Sequence, residues 1–245
     1  MHFYSSPQCS RPRKRCSAFT LIELLVVIGI IAVLMSLLIP VFHRAQMAVQ
    51  SATCLNNLRQ LGTAMNAYLH DNNEKFPKPA VNVQYEDWIY WNGGRNPAGG
   101  RIIPYLGGID AANKILVCPS NTGNTYVPSY PYSYSVNEFM CRYFYDTISI
   151  TQVQNPSQKI MAICESSQTI DDGCWAAQNY LDGEFVNLLS NRHDMAHESR
   201  YDYLISDDLS GRGNVVFADF HADMVSRANS LDPNFYMAYP NEPVR

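Results

Sequence analysis

The sequence predicts an α+β fold, with a long N-terminal transmembrane-plus-amphipathic helix packed on a C-terminal antiparallel β-sheet head. Three observations carry this expectation. From Phe19 to Ile39 the chain reads FTLIELLVVIGIIAVLMSLLI, apolar except for Thr20, Glu23, Ser36 and one glycine. Beyond Pro40, apolar residues recur at steps of three and four. From Phe76 onward, stretches rich in Gly, Pro and aromatics separate short apolar runs of strand character.

The apolar stretch sets the topology. As a helix rising about 1.5 Å per residue, it would be roughly 30 Å long, the thickness of a bilayer's hydrocarbon core. Arg11, Arg13, Lys14 and Arg15 precede it, with no acid before Glu23. Basic flanks favour the cytoplasmic side, so residues 1–18 are expected inside and the remainder outside. A cleavable secretory signal has the same order of parts, but its apolar region is only about 7–15 residues long. The bulky Pro40-Val41-Phe42-His43 also offers no small-residue cleavage site on the far side. Within the span Glu23 stands out. An ionisable group there costs about 2.5–3.5 kcal/mol, so it either reaches the interface or has a partner.

Past Pro40, where a bend is expected, Val41, Ala45, Ala48, Ala52, Leu55, Leu58, Gly62, Met65 and Leu69 form an apolar stripe. Asp71-Asn72-Asn73 and then Pro77 and Pro79 end the helix. The expected segments are a basic leader (1–18), a membrane span (19–39), an amphipathic continuation (40–75) and an exoplasmic head (76–245). In the head, strands are expected at 114–118 (KILVC), within the tyrosine-rich stretch 126–145, and at 159–164 (KIMAIC). A hairpin is expected over 213–225 (GNVVFADFHADMV). The tyrosines either pack along the sheet or stack on a sugar or peptide.

Ala18-Phe19-Thr20-Leu21-Ile22-Glu23 resembles the cleavage and methylation motif of type IV prepilins and of type II secretion pseudopilins. The resemblance implies that a membrane peptidase/methyltransferase cuts between Ala18 and Phe19 and methylates the new Phe19 amine. It further implies that Glu23, fifth in the mature chain, pairs with that amine on a neighbouring subunit. Pro40 falls where family members often carry a proline. Ala18 stands where glycine is usual, which implies slower processing. The run Cys54 to Tyr68 is similar to the outer helix of pseudopilin-like proteins. Arg192-His193 followed by the 213–225 hairpin resembles a C-terminal RH…NVxFADGH signature, with Phe220 in place of glycine. Positive φ at Phe220 would cost on the order of 1 kcal/mol, so a longer or shifted turn is expected there.

Other chemistry is sparse. The chain has 245 residues and a net charge of -4. The leader holds four of its 18 basic residues and no acid, leaving 14 basic against 22 acidic side chains, which argues against a general nucleic-acid binder. Cys9 and Cys16 lie in the leader. Cys54, Cys118, Cys141, Cys164 and Cys174 belong to the part expected in an oxidising compartment, where disulfides persist. Five is odd, connectivity is open, and Cys164 with Cys174 could close a short loop. No C-x-x-C pair exists, which argues against a structural zinc site. His193, Asp219 and His221 are divalent-metal candidates, set against a solvated hairpin face. Some type II pseudopilins bind calcium near the C-terminus. By that resemblance Asp207 and Asp208 are calcium candidates, set against a solvated turn. No phosphate loop, nucleophile elbow or HExxH occurs.

The expected function is therefore structural and non-enzymatic, without a resident cofactor. The chain would be a pseudopilus subunit of a type II secretion-like machine, held in inner-membrane lipid and assembled with other pilin-like subunits. The alternatives are a type IV pilus subunit and a membrane-anchored metal-dependent hydrolase.

Overall fold

The computed structural model describes residues 20–80, 87–91, 95–121, 123–124, 127, 129–141, 146–177, 187–194 and 211–238. The chain forms two compact units, Met1–His43 and Arg44–Arg245. Helix α1, Leu21–Asp71, contributes to both and is not interrupted at Pro40. Through the first unit, every described side chain is exposed, from Leu21 at 78 % to Ile39 at 68 %. So large a continuous apolar surface cannot face water stably. The helix is long and apolar enough to cross a membrane.

In the second unit α1 buries Cys54, Asn57, Leu58, Leu61, Gly62, Ala64, Met65, Tyr68 and Leu69. The expected stripe is thus in phase at Leu58, Gly62, Met65 and Leu69. Its earlier members Ala45, Ala48 and Ala52 are exposed, because burial starts only at Cys54.

A five-stranded sheet packs against this face of α1. Its strands are β1 (Tyr134–Asn137), β2 (Ile160–Cys164), β3 (Cys174–Trp175), β4 (Arg212–Phe217) and β5 (Ala222–Ser226), in the order β3-β1-β2-β4-β5. The α+β class is as expected, but the sheet is mixed: β1 pairs with β3 in parallel, Val136 opposite Cys174. The other neighbours are antiparallel. Strand β2, read from KIMAIC, is central and buried throughout. Both faces of the sheet are covered. Tyr134, Val136 and Val216 join the core beneath α1. Val215 and Phe217 alternate to the opposite side, where Trp175, Tyr236 and Met237 close a second core.

One expectation needs correction and another is met only in part. Residues 114–118 are not a strand, since helix α2 spans Ile109–Ile115 and Leu116 caps it. Gly107 and Gly108, both at positive φ, turn the chain into this helix, and Asp110 lies in its first turn. Helix-forming Ala111-Ala112 then outweighs the short β-branched run. At the β4–β5 hairpin, Phe220 does take positive φ, 72°. The turn is longer than an Asp-Gly pair requires. Phe220 N–H donates to Phe217 O and Phe217 N–H to His221 O, which gives a three-residue loop with Phe220 at the left-handed position. Packing offsets the strain. Phe220 lies against the core beneath α1, close to Gly62, where an added Cβ would sit 3.2 Å from Phe220 O and 3.0 Å from Val216 Cγ2.

Tyr130, Tyr132 and Tyr134 are core residues, so packing and not ligand stacking accounts for them. Tyr130 meets Trp91 and Tyr132 edge to face, at ring separations of 5.1 and 5.9 Å.

Candidate functional site

The start of α1 is built by a reciprocal cap. Thr20 Oγ1 accepts from Glu23 N–H at 3.2 Å, while the Glu23 carboxylate accepts from Thr20 N–H and Thr20 Oγ1, each at 2.8 Å. This is the T-x-x-E capping box, a local signal that the sequence reading of Glu23 passed over. The acid therefore has a local partner before any neighbouring subunit is invoked. Ala18 and Phe19, the expected processing residues, lie outside the described residues.

A second constellation lies inside the head. Cys54 of α1, Cys118 after α2, Cys164 at the end of β2 and His193 before β4 place their ligand atoms within 4.8 Å of one another. All four residues are buried, none more than 3 % exposed. The elements reach this point for identifiable reasons. Cys54 begins the buried face of α1. Asn57, one turn on, donates to Val117 O at 3.3 Å and ties the Cys118 loop to the helix. Ser190 N–H donates to Cys164 O at 2.9 Å. Arg192 then fastens the His193 loop, donating from Nη2 to Glu165 O at 2.8 Å and from Nη1 to Asn121 Oδ1 at 3.3 Å.

Within the cluster Cys118 Sγ lies 3.1 Å from His193 Nε2. Tyr134 donates its hydroxyl to Cys54 Sγ at 3.4 Å. Burial pushes the Cys54 thiol up to about 12. Cys118 moves the other way, because hydrogen bonds from Cys164 and Cys54 hold its thiolate. All five head cysteines carry free thiols, so Cys164 does not close a loop with Cys174.

His193 is accordingly parted from its expected companions. Among the described residues the metal-ligating side chains that converge are the three cysteines and His193, not Asp219 or His221. Those two pair with each other at the hairpin turn, where the His221 ring stacks on Phe217 at 4.3 Å. Asp207 and Asp208 lie outside the described residues. The cluster escaped the sequence reading because its successive members are 29 to 64 residues apart and share no local spacing.

Residues 13–39 match the family model described as the prokaryotic N-terminal methylation motif. No curated protein and no solved structure matches the chain. The matched segment includes the basic run from Arg13, then Phe19, Glu23 and the exposed apolar part of α1. The chain therefore carries the N-terminal methylation motif of type IV prepilin-like proteins, on a helix long and apolar enough to anchor it in a membrane.

Proposed function

We propose that the mature chain is a non-enzymatic subunit of a type II secretion-like pseudopilus. The leader is removed between Ala18 and Phe19 on the cytoplasmic side of the inner membrane. The Phe19 amine is methylated, and the head lies outside. Subunits then bundle through the apolar part of α1, with Glu23 of one copy meeting the Phe19 amine of the next. The observation that carries this reading is the coincidence of the methylation motif with an apolar helix face exposed on every side. In lipid, like helices associate by packing and by polar pairs that spare one another an unpartnered charge.

The same motif fits a type IV pilus subunit. Against that reading, a type IV pilus subunit would be expected to close a surface loop with two cysteines in its C-terminal part, and residues 175–245 hold none. Deleting the chain in its native cells separates the two. Exported proteins should accumulate behind the outer barrier while surface fibres and DNA uptake are unchanged. Loss of surface fibres with secretion intact would assign the chain to a pilus instead.

A further inference from the structure

We propose that Cys54, Cys118, Cys164 and His193 bind one zinc ion that cross-links the head. The inference is independent of which filament the chain joins. Tetrahedral zinc sits about 2.3 Å from sulfur and about 2.0–2.1 Å from imidazole nitrogen, so its ligand atoms lie roughly 3.5–3.8 Å apart. Four donors already within 4.8 Å of one another, with Cys118 Sγ and His193 Nε2 at 3.1 Å, close on such an ion with sub-ångström adjustments. Three soft thiolates and one imidazole in that geometry select zinc among the common divalent metals.

The surroundings support a ligand set. Ser120 Oγ donates its proton to Gln50 Oε1 at 3.1 Å and lies 3.5 Å from His193 Nδ1. With its hydrogen committed to Gln50, Ser120 can only accept from Nδ1–H. In that arrangement Nδ1 carries the proton and the Nε2 lone pair faces the sulfurs, as outer partners of metal-bound histidines favour. Tyr134 donates to Cys54 Sγ and so favours a thiolate there. Three thiolates and zinc leave one net negative charge, and the cationic Arg192 sits next to His193 in the same loop, held there by Glu165 O and Asn121 Oδ1. Four protein ligands buried from solvent leave no open coordination position, so the site is structural and not hydrolytic.

A disulfide accounts for the cluster less well. It would join two sulfurs and leave the third thiol and the imidazole without their partner. Zinc uses all four, and it keeps three thiols from oxidation in the compartment where the head is expected. It would also clamp α1, the Cys118 loop, β2 and the His193 loop to one point. Each bound thiol gives up its proton to solvent as the metal enters.

The test uses the full chain, extracted from membranes in mild detergent without reductant or chelator. Metal analysis should find zinc equimolar with protein. It should fall to background in Cys118→Ser and His193→Ala and stay equimolar in Cys174→Ser and His221→Ala. Cobalt exchanged into the wild type should show thiolate-to-cobalt charge transfer and the d–d bands of a tetrahedral site. Because the cluster variants can also fail by misfolding, the wild type is read by itself as well. Cys54, Cys118 and Cys164 should resist alkylation until zinc is chelated, and chelation should lower the melting temperature. A disulfide between any two of the three would overturn the proposal. So would a folded, metal-free chain whose melting temperature ignores added zinc.

Discussion

A chain carrying Glu23→Gln should fold, enter the membrane and fail to polymerise. Glutamine is the informative replacement because Glu23 has two roles that other substitutions would confuse. Its carboxylate completes the capping box with Thr20, and glutamine fills that position of the box as well as glutamate does. The start of α1 is therefore preserved while the charge is lost. A polymer held by the charge pair then leaves the neighbour's Phe19 amine unpartnered in an apolar bundle, at a cost of several kcal/mol. Filament content of a sheared-cell fraction should drop at least tenfold, while the membrane-bound monomer is unchanged. Glu23→Ala should lose the cap too, with about 1 kcal/mol of added helix fraying. If glutamine polymerises as wild type while alanine does not, Glu23 acts only as a cap.

The largest single-site effect on the head is expected at Gly213, in β4. A Cβ there would collide with the Ser190 carbonyl and approach Leu189 Cγ to 2.6 Å and Cδ1 to 2.9 Å. Neither neighbour can give easily. Leu189 is fully buried and bridges Glu165, and Ser190 is hydrogen-bonded to the end of β2. Gly213→Ala should therefore destabilise the head by about 2–3 kcal/mol, the upper part of the range for overpacking a closed core. It should lower the urea midpoint of the Trp88 and Trp175 fluorescence transition with little change in its slope. Because residues 189–193 form one short run, the shift should also draw His193 away from Cys118. An unchanged midpoint would mean that β4 and this run do not pack as described.

The parts of this fold legible in the sequence are those where one local pattern decides the outcome. KIMAIC, apolar and bounded by polar residues, became a central strand, and the two apolar runs around Asp219-Phe220 became the β4–β5 hairpin. KILVC shows the limit. Its composition suits a strand, but the Gly107-Gly108 turn and the alanines before it had already started a helix. Phe220 shows another. Local rules forbid its backbone little more than weakly, and packing near Gly62 decided the matter. At the N-terminus the processing motif was legible because its residues are contiguous, whereas the T-x-x-E cap in the same stretch was read only as an isolated acid. The cysteine cluster was not legible at all. Its four members come from a helix, a loop, a strand end and a second loop, and only tertiary packing brings them together.

Every functional step proposed for this chain depends on trimming at one peptide bond. Mass spectrometry of the N-terminal peptide from native membranes reads that bond directly. The account predicts a chain beginning at an N-methylated Phe19, with residues 1–18 gone. A chain still intact at Met1, or cut beyond Ile39, would contradict it.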